Sequence, residues 1–125
     1  TNKITHEFNT EELIPCAGQG IIAIQCREND QEIINILEKI NDDQSRIIAN
    51  AERKILKILE GDCDTAVGVY AKIDKDLVNI KAELFSVDGK QRFFVEESEN
   101  KTMVKDLSIK IGEKLKSESK GSYKR

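Results

Sequence analysis

The chain has 125 residues and a formal net charge of −3, from 23 acidic and 20 basic side chains. This near balance leaves no strongly basic surface, so we expect no nucleic-acid partner. No apolar run approaches the roughly 18 residues that a membrane span requires, so we expect no membrane partner either. The three cysteines are an odd and widely spaced set, which argues against a disulfide framework or a zinc motif and favours a reducing, cytoplasmic setting.

The N-terminal part is polar and begins without methionine, and we expect the chain to be a piece of a longer protein. Residues 1–19 have a polar and then loop-like pattern around Pro15 and Gly18. Residues 21–27 are apolar and rich in β-branched side chains, which is typical of a buried strand.

Two helices are predicted next. The first begins with a capping box, in which Asn29 is the N-cap and Glu32 lies three residues later. An aspartate after Asn41 is positioned to cap the second helix. Gly61 is expected to end that helix, because glycine adopts the left-handed conformation easily. The apolar residues at helical spacing are Ile33, Ile36, Leu37 and Ile40 in the first helix, and Ile47, Ile48, Ala51, Ile55, Leu56 and Leu59 in the second.

The C-terminal half is predicted to form strands at 67–73, 76–85 and 92–97, with Asp88-Gly89 as a strong hairpin signal. A last helix is predicted over 101–117, and residues 117–125 are expected to fray. The apolar stripe of this helix consists of Val104, Leu107, Ile111 and Leu115. This order predicts an α+β fold, a small three-stranded antiparallel sheet with helices packed on one face.

Five short motifs occur along the chain in a fixed order. They are Ile14 to Gly20, Cys26-Arg27, Ala51-Glu52-Arg53, Leu59 to Cys63, and Ala66 to Ala71. This succession resembles the C-terminal part of porphobilinogen deaminase, also called hydroxymethylbilane synthase. That family carries L-P-x-x-G-Q-G, C-R, A-E-R, L-E-G-G-C and P-x-G-x-Y-A in the same order and at matching spacing. The resemblance covers most of the chain.

The resemblance implies a domain organisation and a cofactor. Residues 29–125 would form the C-terminal cofactor-bearing α+β domain, and residues 1–28 would be the return strand and hinge segment of an N-terminal domain that this chain lacks. Cys63 would hold a dipyrromethane cofactor through a thioether.

The resemblance also implies an activity. In such a transferase, four porphobilinogen units are polymerised onto the dipyrromethane primer with loss of ammonia, in tetrapyrrole (heme and chlorophyll) biosynthesis. The implied partners are porphobilinogen, the growing polypyrrole chain and the absent N-terminal domains, in an enzyme that is monomeric at full length. No catalytic residue is expected in this chain, because the family's catalytic aspartate lies in the part that is absent. We therefore expect the chain alone to be inactive.

Gln19 and Gly20 are the further cofactor-binding residues that the resemblance implies, since Gln19 stands where the family has a glutamine lining the cleft near the pyrroles. Considered by itself, Gly18-Gln19-Gly20 indicates a hinge or tight turn, because the residues of a phosphate loop do not accompany it. Glu52 and Arg53 indicate a salt-bridged helix face that supports the Cys63 loop.

The cysteines differ in their surroundings. Cys16 and Cys26 have the pattern of small buried hydrophobes. Cys63 lies between Asp62 and Asp64, whose carboxylates disfavour the thiolate. We therefore expect Cys63 to be an anchor and not a redox or proteolytic nucleophile.

Two alternatives to the enzyme remain open. Asp62 replaces a family glycine and Ala66 replaces a family proline, which is compatible with a degenerate paralogue that lacks the cofactor. The acidic net charge and the absence of metal or catalytic-histidine motifs are compatible with a non-catalytic α+β interaction module. The covalent state of Cys63 distinguishes these alternatives from the enzyme.

Overall fold

A computed structural model describes residues 3–125 and confirms the α+β fold. The helices are α1 (Gln31–Ile40), α2 (Asp43–Leu59) and α3 (Val104–Ser119), and a short 3₁₀ turn, Lys101–Met103, precedes α3. The strands are β1 (Val67–Asp74), β2 (Leu77–Phe85) and β3 (Arg92–Asn100). None of the helices within residues 3–125 has the length and apolar character needed to cross a membrane.

The three strands form one antiparallel sheet in the order β1-β2-β3. Asp74 pairs with Leu77, so Lys75 and Asp76 form a two-residue hairpin loop, with Lys75 at φ 56°. The second hairpin contains Gly89 at φ 71°, a conformation that glycine adopts without steric cost. The predicted strands and the Asp88-Gly89 turn are therefore confirmed, and β3 continues three residues beyond its predicted end.

The core lies between one face of the sheet and the helices α2 and α3. Alternate residues of the central strand point into it, as the period of a half-buried strand requires. The α3 stripe is confirmed, since Leu107, Ile111 and Leu115 are buried and Val104 is half-buried. Each fully buried aliphatic side chain contributes about 1.5–3 kcal/mol. The fully buried apolar side chains are Ile55, Leu59, Val69, Val78, Ile80, Ala82, Leu84, Ile111 and Leu115.

The first helix forms where it was predicted, but its cap and its environment differ from expectation. Asp30 is the N-cap, and its carboxylate accepts a hydrogen bond from the Ile33 N–H at 3.3 Å. The predicted cap, Asn29, is therefore wrong by one residue. No residue of α1 is buried, so its apolar stripe remains accessible in residues 3–125.

The predicted strand at 21–27 is wrong, because these residues have no regular secondary structure. A strand requires a neighbour for its backbone hydrogen bonds, and no strand within residues 3–125 pairs with this segment. The apolar character that suggested a buried strand is instead exposed, with Ile22 at 89% of its full accessible surface.

The end of α2 and the C-terminal tail also differ from prediction. Glu60, at φ 55°, takes the left-handed conformation that ends α2, so the assignment of this role to Gly61 is wrong. The expectation that residues 117–125 fray is also wrong. The last helix continues to Ser119, and Tyr123 beyond it is only 4% exposed.

Candidate functional site

Cys63 lies on a tight turn between α2 and β1. The Thr65 N–H donates to the Asp62 carbonyl at 3.2 Å, which closes a four-residue turn with Cys63 and Asp64 at its centre. The Cys63 thiol is free and its residue is exposed. The thiol is therefore accessible at the corner of a hydrogen-bonded turn.

The Asp62 side chain organises this turn. Its carboxylate accepts hydrogen bonds from the Asp64 N–H at 2.9 Å and from the Thr65 hydroxyl at 3.1 Å. The Asp62 N–H in turn donates to the Thr65 hydroxyl oxygen at 3.1 Å. These bonds hold the pKa of Asp62 below its usual value, the Asp64 N–H making the largest contribution. Asp62 does not have a positive φ, so the backbone does not require the family's glycine here.

The base of the turn is fixed by the end of α2. The Gly61 N–H donates to the Leu56 carbonyl at 3.0 Å and the Glu60 N–H donates to the Lys57 carbonyl at 3.1 Å. This pair of bonds, with a left-handed residue between helix and loop, is the Schellman arrangement. The Glu60 carboxylate pairs with Lys124, and this pairing, helped by Lys116, lowers the pKa of Glu60.

Gly18-Gln19-Gly20 forms two successive turns, which confirms the tight-turn interpretation. The Gln19 N–H donates to the Cys16 carbonyl and the Ile21 N–H donates to the Gly18 carbonyl, both at 3.1 Å. Gly18 and Gly20 have φ values of 76° and 79°, at the turn position where positive φ favours glycine. Gln19 and Gly20 are exposed.

Glu52 connects α2 to this double turn. Its carboxylate accepts a hydrogen bond from the Gly18 N–H at 3.5 Å, and the residue is 3% exposed. Burial raises the pKa of Glu52 to about 7, although the backbone N–H groups of Gly18 and Ala71 oppose this shift. The expectation that Glu52 lies on a salt-bridged helix face is therefore wrong, because within residues 3–125 this carboxylate has no cationic partner.

The segment before the double turn packs directly on β1. The Val69 N–H donates to the Pro15 carbonyl at 2.9 Å, and Ile14 is buried. A Cβ atom added to Gly68 would lie 2.8 Å from the Ile14 carbonyl oxygen, so this contact depends on glycine. The first motif is thus attached to the sheet at two points, Gly68 and Val69, and to α2 at Glu52.

One of the predicted cofactor-binding residues lies in a cleft. Gly20 lines an open cleft of about 610 Å³ between residues 21–24 and the helices α1 and α2, and Cys63 does not line this cleft. Cys26 also lines it and is half-buried. Cys16 is exposed, so its interpretation as a buried hydrophobe is wrong. In the described part of the chain, no three histidine, cysteine or acidic residues are grouped as a metal site.

Sequence reasoning missed one residue that supports the Cys63 turn. The Tyr123 hydroxyl donates to the Leu59 carbonyl at 2.7 Å, in a buried hydrogen bond across 64 residues of sequence. The available signal was a single aromatic residue in a polar, Gly- and Ser-containing tail. A buried tyrosine hydroxyl usually requires a hydrogen-bond partner.

Together these features define an α+β domain with the exposed Cys63 thiol on a hydrogen-bonded turn and a double-glycine turn that is held against α2 and β1. Residues 47–117 match the family described as porphobilinogen deaminase, C-terminal domain. Residues 1–35 match the family described as porphobilinogen deaminase, dipyromethane cofactor binding domain. The chain belongs to the porphobilinogen deaminase family, which confirms the resemblance.

Similar curated proteins agree with this assignment. The chain is 43% identical over 89 residues to a porphobilinogen deaminase of Exiguobacterium sibiricum, covering 70% of this chain and 29% of that protein. It is 37% identical over 110 residues to a probable porphobilinogen deaminase of Nitrosopumilus maritimus, covering 88% of this chain and 35% of that protein. It is 32% identical over 114 residues to a porphobilinogen deaminase of Coxiella burnetii, covering 91% of this chain and 37% of that protein. The chain spans about a third of the length of these relatives.

The predicted cofactor agrees with the matched family domain, since that domain binds dipyrromethane. The residues present are chemically suitable for it. A thioether requires a free thiol that a bulky electrophile can approach, and Cys63 is free and exposed. Cys63 itself lies within the C-terminal domain match and not within the match to the cofactor-binding domain.

Proposed function

We propose that this chain is the C-terminal part of a hydroxymethylbilane synthase, a transferase of tetrapyrrole biosynthesis, and that Cys63 attaches its dipyrromethane cofactor. The observation that carries the proposal is the free, exposed Cys63 thiol at the corner of a hydrogen-bonded turn, in a chain of this family. The corresponding motif is Leu59-Glu60-Gly61-Asp62-Cys63.

In this proposal Cys63 acts as an anchor. Its Sγ bonds to the aminomethyl carbon of a porphobilinogen unit as the carbon–nitrogen bond breaks, and the thiol proton leaves with the ammonia, so the resulting thioether carries no charge. The capped end of α2 and the Asp62 side chain hold the turn, so the point of attachment stays fixed. When bound, the dipyrromethane supplies the primer to which porphobilinogen units are added with loss of ammonia. The polypyrrole can extend from the turn because the Cys63 side chain faces solvent.

We propose that Gln19 and Gly20 contact the pyrroles. The exposed Gln19 amide can donate to a pyrrole carboxylate or accept from a pyrrole N–H. Gly20 carries no side chain, so ligand atoms can approach its backbone closely. The hydrogen bond from Gly18 to Glu52 and the Pro15–Val69 bond support this role, because they hold the segment against the domain.

We also propose that residues 1–28 belong to a separate N-terminal domain and that residues 29–125 form the cofactor-bearing domain. The separate family matches and the exposed side chains of Ile22 and Ile24 support this division. Burial of each such side chain by further polypeptide would contribute about 1.5–3 kcal/mol. The proposed enzyme is a cytoplasmic monomer that acts on porphobilinogen.

The 125-residue chain alone is proposed to be inactive. It contains five arginines, at positions 27, 46, 53, 92 and 125, which are scattered along the sequence. A pyrrole that bears two carboxylates requires a convergent cationic pocket. Incubating the chain with porphobilinogen should therefore release no ammonia above the enzyme-free background, and turnover by the chain would contradict this part of the proposal.

Cysteine variants of the longest natural form of the protein test the attachment site. Cys63→Ala should reduce porphobilinogen consumption to background, because the thioether cannot form. Cys16→Ala and Cys26→Ala are matched controls and should retain activity. A Cys63→Ala variant that keeps the activity of the unmodified protein would exclude Cys63 as the anchor. If the unmutated protein is folded but inactive, the degenerate paralogue or the interaction module is favoured.

A further inference from the structure

The C-terminal tail contacts the end of the helix that leads to Cys63. The last four carbonyl groups of an α-helix have no partner within the helix. In α2, the Leu56 and Lys57 carbonyls accept hydrogen bonds from the first residues of the loop. The Leu59 carbonyl accepts its hydrogen bond from the Tyr123 hydroxyl at 2.7 Å. The tail thus provides a donor for a helix-end carbonyl that the loop does not reach.

The same part of the tail contacts Glu60. This residue is in the left-handed conformation, which is unfavourable for a residue with a side chain. Its carboxylate pairs with Lys124, next to Tyr123, and lies 4.0 Å from Lys116. Two adjacent tail residues therefore hold Leu59 and Glu60, which immediately precede the loop that bears the thiol.

We propose that Tyr123 is a positioning residue for Cys63, acting through the Leu59 carbonyl on the turn that presents the thiol. This inference rests on the proposed attachment at Cys63. The Tyr123 ring is buried against the core, so the tail is anchored by packing and its hydroxyl is held at a fixed position. Lys124 makes a smaller contribution, because exposed ion pairs are weak.

Amide hydrogen exchange tests the local part of this inference in the 125-residue chain. The amides of residues 60 and 61 donate to carbonyls at the end of α2, and those of residues 62, 64 and 65 donate within the loop, so each reports on its opening. Tyr123→Phe keeps the ring and removes the hydroxyl, and should raise exchange of these amides roughly fivefold. Amides of Val78, Ile80 and Ala82 in β2 should be unchanged. Tyr70→Phe is the matched control, because the Tyr70 hydroxyl makes no hydrogen bond to residues 3–125.

Equal exchange in both tyrosine variants, or an equal increase in the loop and in β2, would overturn the inference. The second measurement is the fraction of Cys63 that carries added cofactor mass after a fixed time, in the longest natural form of the protein. Tyr123→Phe should lower this fraction and Tyr70→Phe should not. If Tyr123→Phe raises exchange in the loop but leaves the loaded fraction of Cys63 unchanged, Tyr123 has a structural role alone. That result would also overturn the proposal that Tyr123 positions Cys63. If unmutated protein shows no mass on Cys63, the proposed function fails, whereas the exchange result still decides whether Tyr123 holds the turn.

Discussion

The Glu52 carboxylate on α2 accepts a hydrogen bond from the backbone N–H of Gly18 at 3.5 Å. This bond joins two motifs that are 34 residues apart in the sequence, and it holds the double-glycine turn against α2. Because Glu52 is almost completely buried, its pKa is raised to about 7. The carboxyl group is therefore partly protonated near neutral pH.

The raised pKa predicts that stability falls with pH over a defined window. Between the ordinary carboxyl pKa of 4.5 and about 7, the folded chain binds more protons than the unfolded chain. The free energy of unfolding should therefore decrease as pH rises through this window, by up to about 3 kcal/mol from Glu52. Glu52→Gln removes this titration. As pH rises from 5 to 8, the free energy of unfolding of the variant should therefore increase relative to that of the unmutated chain.

Urea unfolding at the two pH values measures this difference. Glu113→Gln, at an exposed position of α3, is the matched control and should follow the pH dependence of the unmodified chain. If Glu52→Gln also follows that dependence, Glu52 does not titrate in the predicted window.

The close contact between β1 and the first motif predicts an effect of Gly68→Ala. The new Cβ would lie 2.8 Å from the Ile14 carbonyl oxygen, so the backbone of one segment would have to move. We expect the free energy of unfolding to fall by about 1–3 kcal/mol. Gly61→Ala is the control, because its nearest contact would be an ordinary 3.5 Å and its φ is not positive. Thermal or urea unfolding that ranks the two variants equally would argue against this contact.

The Asp62 side chain predicts a local effect on the Cys63 turn. Asp62→Ala removes the acceptor of the Asp64 N–H and of the Thr65 hydroxyl, so the Asp64 amide should exchange faster and the turn should be cleaved more readily by protease. Because the folded-state pKa of Asp62 is lowered, its stabilising effect is present above the ordinary carboxyl pKa and is lost as pH falls through the folded value.

Asp64→Ala is the control for this change, since the Asp64 carboxylate accepts no hydrogen bond from residues 3–125 while its N–H is retained. The two variants should differ at pH 7 and become more alike as pH falls below the folded-state pKa of Asp62. Equal protease sensitivity of the two variants at pH 7 would show that the Asp62 side chain does not organise the turn.

Several elements could be predicted because local patterns determine them. The α3 stripe has a clear helical period, and the Asp88-Gly89 turn identifies its hairpin. The end of α2 was displaced by one residue, from Gly61 to Glu60. Glycine preference indicates the wrong residue, because the Glu60 and Gly61 N–H groups donate to the Lys57 and Leu56 carbonyls and so place the left-handed residue one position earlier.

Other features depended on tertiary contacts that periodicity cannot reveal. Residues 21–27 have strand-like composition, but a strand forms only where a partner strand is available. The polar neighbours of Tyr123 predict a fraying tail, yet its ring packs in the core. For the candidate site, motif order identified Cys63, whereas the roles of Asp62 and Glu52 depended on hydrogen bonds visible only in the fold.

The most direct test of the central claim is the mass of the Cys63-containing peptide from the longest natural form of this protein, purified after folding in the presence of porphobilinogen. We expect an added mass equal to two linked pyrrole units on Cys63, with the Cys16 and Cys26 peptides unmodified. A correctly folded protein with an unmodified Cys63 peptide would contradict it.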